Sequence, residues 1–541
     1  MKIFKKIVIP ALVIMAAMVL YNSCKEDDLE LVNPNELSPE TYFKTPTQVE
    51  SAVNAVYGSL QTTSLYNRHI WFGNDNMSHE NSGNSQLESD KRQYLNFTFD
   101  AQHGAIGGYW ETCYRGINKA NFVINNSQAI NLIPDAQLSQ VMKDKYIGEA
   151  KFLRGLYYFL LVDKFGAVPL YLDVPADGKG LARTAVPEIY AQIEADLVDA
   201  AAMLKTKAEE AQLGRATKGA AWALLGKVRL YQKKYQGALD AFANVTGYSL
   251  EPNYFDNFIE EKENGVESIF EVQFSVAAGS ANRWDSDRSD QGLNEATFRG
   301  QEYGFANWYN VYPSKDLWEE YETVAVNGVK TDPRRGYNIY QNGDTYGPGG
   351  SVVVNIPADV VVENGVTLET ITRRGWKKYQ NYYKDATEGA VVAQASGINM
   401  KVIRYADVLL MMAEAEANKP GSLAIAVGYM NQVRLRADVT MPLYGTAAMD
   451  AAGYPVGTLA QFMVALEHER KVELAGEQVR FPDLVRWGRL PAFMVEVKPS
   501  LPILDQRALA FDPAKNILWP IPQPEIDRNV NIGQGDQNTG Y

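Results

Sequence analysis

Apolar residues recur at helical spacing along most of the chain. In residues 48–60, Val49, Val53, Val56 and Leu60 share one face of a predicted helix. Comparable runs predict helices over residues 109–125, 138–165, 186–204, 218–233, 235–245, 402–418 and 423–437. Alternation predicts a strand over residues 267–274, and short β-like runs occur at 351–356 and 360–366 within a glycine-rich stretch. The pattern therefore predicts a mainly α-helical fold.

Two neighbouring helices carry a repeat signature. The tetratricopeptide pattern W-x2-L-G…A-x3-F is matched by Trp222, Leu225, Gly226, Ala238 and Phe242. Small residues let two helices approach closely, and aromatic rings fill the gaps between hairpins. One hairpin cannot bury its own apolar face, so others must stack on it. We expect further helical hairpins at 147–165 with 186–204 and at 402–418 with 423–437.

Two long stretches, residues 62–108 and 275–310, break the helical pattern and are rich in Asn, Ser, Gly and aromatic residues. Loops of this length are usually functional or disordered. Of the nine tryptophans, three lie in these stretches: Trp71, Trp284 and Trp308. The other six lie in helical or otherwise patterned segments, where packing in the core is expected.

The first residues have the layout of a secretory signal. Three lysines precede the apolar run 7–21, whose 15 residues are fewer than the roughly 20 that a membrane-spanning helix needs. The run ends at Ser23-Cys24, a small residue before a cysteine, as bacterial lipoprotein signals do. We expect cleavage after residue 23 and a lipid on Cys24. An ordinary signal peptide and an uncleaved helix are the alternatives.

Composition argues against several classes of protein. The formal charge is −13, and removing the three lysines of residues 1–23 makes it −16, so binding to nucleic-acid phosphates is not expected. Two cysteines in 541 residues do not make a disulfide scaffold. Cys113 lies in a helical run and is expected to be a small buried apolar residue. A Cys24–Cys113 bridge stays open.

No catalytic or metal-binding motif stands out. The sequence has no GxSxG, Walker A or HExxH motif. His69, His79 and His103 share the first polar stretch, but their spacing matches no ligand signature, so solvated histidines are favoured over a metal site. The run after Asp285 lacks the glycine and the final glutamate of an EF-hand. These observations favour binding over catalysis.

Several phrases occur in the same order as in one known family. They include "WETCYRGINKANFVI" (110–124), "GEAKFLRGLYYFLLVDKFGAVPL" (148–170), "VIRYADVLLMMAEAEA" (402–417), "ERKVELAGEQVRFPDLVRWGRL" (469–490) and "WPIPQPEI" (519–526). On these phrases the chain resembles the SusD/RagB family, the glycan- and nutrient-binding outer-membrane lipoproteins of Bacteroidetes. The resemblance covers essentially the whole mature chain.

The resemblance implies a scaffold of about four tetratricopeptide-like hairpins with an irregular, β-poor part that carries the ligand site. It implies a non-enzymatic, lipid-anchored (palmitate-bearing) protein of the outer membrane that delivers oligosaccharides or polysaccharides to a SusC-like TonB-dependent transporter. "CKEDD" (24–28) resembles a surface-export signal of such lipoproteins. No cofactor is implied, although some members hold a calcium ion. The expected parts are a signal peptide (1–23), a tether (24–45), an N-terminal helical part (46–265) and a C-terminal part with the binding loops (266–541).

Family members place their ligand site in loops that match the two polar stretches. The resemblance therefore points to aromatic platforms and polar partners at Trp71, Asn74, Asp75, Tyr94, Arg283, Trp284, Trp308 and Tyr309. Sugar C–H faces stack on aromatic rings, and sugar hydroxyls need charged or amide partners. A loop-anchoring aromatic residue or a solvated turn is the alternative for each position.

Two further expectations concern residues 469–490 and the ligand. Structural helix pairing rather than catalysis is expected for Glu469, Arg470, Glu473, Arg480, Asp483 and Arg486. Peptide uptake by the same architecture and a surface glycosidase remain alternatives to glycan binding.

Overall fold

The computed structural model describes residues 42–173, 178–277, 295–323, 330–385, 396–421 and 423–541. Helices dominate these ranges, which confirms the predicted mainly α-helical fold. In chain order they are α1 Pro46–Gly58, α2 His69–Met77, α3 Ser89–Asn96, α4 Gly104–Asn125, α5 Ser127–Leu132, α6 Gln140–Phe165, α7 Val186–Met203, α8 Lys218–Tyr231, α9 Tyr235–Phe242, α10 Arg299–Tyr303, α11 Lys315–Glu320, α12 Pro333–Asn338, α13 Tyr405–Ala417, α14 Leu423–Arg434, α15 Ala447–Ala451, α16 Leu459–Glu473, α17 Arg480–Arg486, α18 Leu490–Val497, α19 Ile503–Ala508 and α20 Gln523–Arg528. Within the described ranges no helix is long and apolar enough to span a bilayer. The expected signal peptide, Cys24, Arg283 and Trp284 fall outside them.

Successive helices pack as hairpins. Helix α6 packs on α7, α8 on α9, and α13 on α14, which confirms the three predicted hairpins, while α4 packs on α6. The last hairpin starts later than expected, because residues 400–404 form a strand and α13 begins at Tyr405. Gly226 shows why this packing needs small residues: an added Cβ would lie 2.3 Å from the Phe242 ring.

The first polar stretch is not the loop that the sequence predicted. It contains α2, α3 and the start of α4. Every residue of α2 from Ile70 to Met77 is buried, so the helix has no polar face and leaves no amphipathic stripe in the sequence. His79 and His103 are buried rather than solvated. His103 caps α4, because its Nδ1 accepts a hydrogen bond from the Ile106 amide at 3.3 Å.

The strands are short and pair two by two. They are β1 Asn81–Gly83, β2 Ser268–Val272, β3 Val311–Pro313, β4 Ile339–Tyr340, β5 Thr345–Tyr346, β6 Val352–Val353, β7 Asp359–Glu363, β8 Val366–Ile371, β9 Gly375–Trp376 and β10 Met400–Arg404. The antiparallel pairs are β1–β3, β2–β10, β4–β9, β5–β6 and β7–β8. β2 confirms the predicted strand, and its pairing with β10 ties the N-terminal helices to the C-terminal ones.

Buried ion pairs form part of the C-terminal core. The Glu473 carboxylate lies 2.9 Å from Arg334, 2.7 Å from Arg404 and 2.8 Å from Arg436, and all four side chains are buried. The six residues do form structural ion pairs, but the prediction that their partners lie on the same helix is wrong, because these contacts join separate elements. The other pairs of the six residues are Glu469 with Arg334 and Arg434, Arg470 with Asp407 and Asp483, Arg480 with Glu467, and Arg486 with Glu414 and Asp483. Of these pairs, only Arg486–Asp483 has helical spacing.

A buried histidine makes the stability depend on pH. His468 Nδ1 lies 2.6 Å from a Glu320 oxygen, and Nε2 lies 3.1 Å from a Glu322 oxygen. Burial acts to lower the pKa of His468, but the two carboxylates outweigh it and raise that pKa to about 9. Since this value exceeds the ordinary 6.5, protonated His468 stabilises the fold below pH 6.5, and the stabilisation is lost as the pH rises through 9.

We therefore expect the free energy of unfolding to fall by about 2–3 kcal/mol between neutral pH and pH values above the pKa of His468. The decline should be smaller in His468→Gln, which cannot be protonated. Urea unfolding at a series of pH values measures both. Parallel pH profiles for the two proteins would contradict the assignment.

Candidate ligand-binding site

The segment between α10 and β3 presents a tryptophan on the surface. Its backbone folds back on α10: the Trp308 amide donates to the Gln301 carbonyl at 3.2 Å, and the Asn310 amide donates to the Glu302 carbonyl at 2.8 Å. The Ala306 amide donates to the Tyr382 hydroxyl at 2.8 Å. These bonds fix the segment, so the position of the indole is set by ordered backbone.

The next residue turns the chain. Tyr309 has a left-handed backbone conformation, with φ of 53°, which is unfavourable for a residue with a Cβ. The turn separates two adjacent rings: Trp308 is 43% exposed and Tyr309 is 6% exposed. The Tyr309 hydroxyl donates to the Arg374 carbonyl at 2.7 Å, which anchors the inner ring. Trp308 therefore presents its indole to solvent from a fixed base.

Asn84 holds a second segment beside the first. Its amide donates to the Asn310 carbonyl at 3.0 Å, and its side chain donates to the Tyr309 carbonyl. Its side-chain oxygen accepts from the Gln86 amide at 2.7 Å, which sets a turn after β1. The turn places exposed polar residues next to the tryptophan. We call the resulting surface the Trp308 face; it consists of Ser85, Gln86, Glu88, Ala306, Asn307 and Trp308.

Charged groups border the Trp308 face. Glu88 pairs with Arg68 at 3.1 Å and with Lys91 at 2.8 Å, and Arg68 also pairs with the buried Glu302. Burial acts to raise the pKa of Glu88, but the hydrogen bond from Lys91 and the charge of Arg68 outweigh it, so this pKa is lowered. Glu88 is thus an ionised acceptor at neutral pH.

Two of the predicted ligand residues lie in the core instead. Trp71 is fully buried, and its Nε1 donates to the Tyr66 carbonyl at 3.1 Å. Asp75 lies 3.4 Å from the Arg299 guanidinium, which also stacks 5.6 Å from the Trp71 ring. The expectation that Trp71 is a surface platform is corrected by this burial, because both of its ring faces are covered by protein.

The carboxyls of this buried cluster have unusual acidities. Burial raises the pKa of Asp75 to about 6, although Arg299 opposes the shift. Burial and the charge of Asp75 raise the pKa of Glu80 to about 8. Paired carboxyls with raised pKa values are typical of glycosidases, but here both are enclosed by side chains. The shifts therefore reflect core packing.

Tyr94 and Asn74 are also buried. The Tyr94 ring stacks on Trp519 with centroids 5.8 Å apart and contacts His103 at 4.8 Å. The expected platform role of Tyr94 is corrected for the same reason as that of Trp71.

The chain shows a clear likeness to known proteins. Residues 266–541, just over half of it, match the SusD family, and residues 28–230 match a family described as starch-binding associating with outer membrane. This chain belongs to the SusD family. The predicted resemblance is confirmed.

The alignments with relatives extend over nearly the whole length of this SusD-family protein. SusD-like protein P2 of Formosa agariphila is 26% identical, over 99% of this chain and 100% of its own. A SusD superfamily protein from Bacteroides vulgatus has a TM-score of 0.72 at 25% identity, over 93% of this chain and 100% of its own. A laminarin-binding SusD-like protein has a TM-score of 0.69 at 25% identity, over 92% of this chain and 100% of its own.

A separate cleft lies on another part of this SusD-family protein. Its volume is about 630 Å³, and it lies between the start of α4 and α20. Trp110 in its wall is only 4% exposed, because the ring packs against Phe165 at 4.9 Å and Tyr114 at 5.0 Å. Its Nε1 donates to Glu525 at 3.3 Å. The cleft therefore offers no open indole face.

Sequence reasoning missed the polar half of the Trp308 face. Ser85, Gln86 and Glu88 lie in the run "NSGNSQLES" with Asn84, which positions them, and the only local signal was an Asn followed by polar residues, which is typical of a turn. Their neighbour Trp308 lies more than 200 residues further along the chain. The pairing of β1 with β3 and the hydrogen bonds of Asn84 bring the two segments together.

Among the described residues, no group of three or more His, Cys, Asp or Glu side chains is placed to hold a metal ion. The Trp308 face offers instead an aromatic ring, two side-chain amides, the Ser85 hydroxyl and an ionised carboxylate. Such a set can stack on a sugar ring and bind its hydroxyls.

Proposed function

We propose that this SusD-family protein binds oligosaccharides or polysaccharides at the Trp308 face. All nine tryptophans except Trp284 lie in the described ranges, and among those eight only Trp308 is exposed. This observation carries the proposal, because an exposed indole on ordered backbone offers apolar ring surface on which a sugar can stack. The laminarin-binding relative supports the ligand class.

The expected location and partner form part of the same proposal. A lipid on Cys24 would anchor the chain at the outer membrane, and the family description that matches residues 28–230 names outer-membrane association. From there the protein would pass its glycan to a SusC-like TonB-dependent transporter. Binding without catalysis is the proposed activity, and Trp284 and Arg283 stay candidate contacts.

Affinity electrophoresis tests the ligand class directly. Native gels containing starch, laminarin or other polysaccharides should retard the purified protein on at least one of them, relative to a gel without polysaccharide. Retardation on none, together with capture of a peptide, would favour the peptide alternative. Release of shorter sugars from a retained polysaccharide would show a glycosidase.

The anchor has its own test. Replacing Cys24 by serine is expected to release the protein from the membrane fraction or to leave the signal uncleaved, because position 24 then has no thiol to carry the lipid. Carbonate washing of membranes and the mass of the N-terminal peptide measure this. A Cys24→Ser protein that is processed and still resists the wash would contradict a lipid on Cys24.

A further inference from the structure

Three arginines near the Trp308 face have no acidic partner. Most arginines of the described ranges form ion pairs; Arg334, for example, pairs with Asp332 at 2.7 Å. Its neighbour Arg335, and Arg373 and Arg374 after β8, have no carboxylate within 4.0 Å among the described residues. All three are partly exposed. Their charges are therefore available to a ligand.

These arginines stack on aromatic rings. The Arg374 guanidinium lies 4.3 Å from the centre of the Trp318 ring, and that of Arg335 lies 4.5 Å from the same ring. The Arg373 guanidinium lies 5.2 Å from the Tyr309 ring. Stacking holds a guanidinium plane in place without using its N–H donors. We call Arg335, Arg373 and Arg374 the arginine cluster.

The arginine cluster joins the Trp308 face through Tyr309. Tyr309 follows Trp308 directly, carries Arg373 on its ring, and donates its hydroxyl to the Arg374 carbonyl at 2.7 Å. Tyr309 therefore connects the backbone of the Trp308 segment to Arg373 and Arg374.

Most donors of the cluster lack a protein acceptor. A guanidinium has five N–H donors. Arg373 uses one, to the Pro357 carbonyl at 3.1 Å, and Arg374 uses one, to the Thr372 carbonyl at a long 3.5 Å. No acceptor lies within hydrogen-bond distance of the Arg335 side chain in the described part of the chain. From the remaining donors we infer a ligand that supplies charged oxygen atoms as acceptors.

The local charge opposes that of the whole protein. The formal charge of the chain is −13, yet the cluster brings three guanidinium groups together, with the carboxylates of Glu319 and Asp359 in its surroundings. Glu319 itself lies 3.9 Å from Lys315. An acidic protein repels anionic polymers unless a local positive region attracts them. The cluster is such a region.

We propose that the glycan taken at the Trp308 face is anionic, and that the arginine cluster binds its carboxylate or sulfate groups. This inference rests on the proposed glycan binding. Guanidinium groups bind carboxylates and sulfates in a bidentate manner, with charge-assisted hydrogen bonds. Uronic acids and sulfate esters share this chemistry, so the cluster selects charge, and the two sources need separate probes.

The test compares charged and neutral polysaccharides on native affinity gels. Alginate and polygalacturonate supply carboxylates, ι-carrageenan supplies sulfates, and laminarin and starch are neutral. We expect the full-length protein to be retarded by at least one anionic polymer more than by the neutral ones, and high salt to weaken that retardation. Comparing the carboxylate polymers with the sulfated polymer then identifies which anionic group the arginine cluster binds.

Variants assign the charge effect to the cluster. Arg373→Gln with Arg374→Gln should weaken retardation on the anionic polymer at least about tenfold, the loss expected for one charge-assisted contact. Arg335→Gln, which breaks no protein hydrogen bond, should weaken it in the same direction. Arg528→Gln is the matched control, since Arg528 also lacks an ion pair among the described residues but lines the cleft of Trp110. Thermal unfolding checks that each variant is folded.

Three results would overturn the inference. They are retardation by neutral polysaccharides alone, equal retardation of the cluster variants and the Arg528→Gln control, and stronger retardation by poly-glutamate than by any anionic glycan. In the first two results glycan binding stands and only the charge assignment fails. If no polysaccharide retards the protein, glycan binding itself fails.

Discussion

Glu473→Ala is expected to lower the free energy of unfolding by about 3–5 kcal/mol, the cost of removing one partner from a buried ion pair. Glu473 is the shared counter-charge of Arg334, Arg404 and Arg436, and none of the four side chains is exposed. The alanine variant leaves three buried guanidinium groups with less negative charge around them. The midpoint of urea unfolding, followed by circular dichroism, measures the loss.

Two variants act as controls for this loss. Glu111 is exposed, and its pair with Arg115 at 3.3 Å has helical spacing, so Glu111→Ala should change the stability by less than about 1 kcal/mol. Glu473→Gln keeps the side-chain volume and removes the charge, so its loss of unfolding free energy should lie between those of Glu473→Ala and Glu111→Ala. Equal midpoints for Glu473→Ala and Glu111→Ala would show that the buried pairs add nothing.

The same contact has a pH signature. Burial acts to raise the pKa of Glu473, but Arg436, Arg404 and Arg334 outweigh it and lower this pKa below 4.5. A lowered pKa stabilises the fold above the unfolded value, and this stabilisation is lost as the pH falls through the folded one. The difference between wild type and Glu473→Gln should therefore shrink below about pH 4.5.

The sequence predicted that the charged residues of 469–486 form structural ion pairs, but it did not predict their partners. The six charged residues between Glu469 and Arg486 were expected to pair with neighbours on the same helix. In the structure, Glu473 instead meets Arg334, 139 residues away. Sequence spacing reports only local neighbours. The partners of a buried charge depend on which elements the fold stacks together.

Helices were predictable where they were long or had a polar face. Periodicity located α4 and α7, which pack an apolar face on a neighbour and expose the other, and it also located α6 and α8, which are longer than α2 although few of their residues are exposed. It missed α2, which is short and buried all round, and this error placed Trp71 in a loop. A helix without a polar face has no stripe to detect.

The candidate site was predictable only in its exposed part. Trp308 stood out because it interrupts a polar stretch, and the structure places its ring at the surface. Asn84 holds the site through the Tyr309 carbonyl, a contact between segments 225 residues apart. A side chain that binds distant backbone leaves no local pattern, so the support of the site could not be predicted.

Trp308→Ala is expected to weaken retardation on the preferred polysaccharide at least about tenfold, equivalent to about 1.4 kcal/mol of binding free energy. Trp308 is the one exposed tryptophan in the described part of the chain, so its indole is the tryptophan surface on which a sugar can stack. Trp308 is 43% exposed, so the loss of its ring should change the stability by less than about 1 kcal/mol. Affinity gels and thermal unfolding of the same preparation separate the two effects.

Two controls define the role of Trp308. Trp308→Phe keeps an apolar ring of smaller area, so it should retain part of the binding. Trp487 is a half-buried tryptophan whose Nε1 donates to Glu414 at 3.0 Å, so Trp487→Ala should lower the stability and leave retardation unchanged. If Trp308→Ala migrates like the wild type on the polysaccharide that retards it most, the ligand is held by other residues and the Trp308 face is not the site.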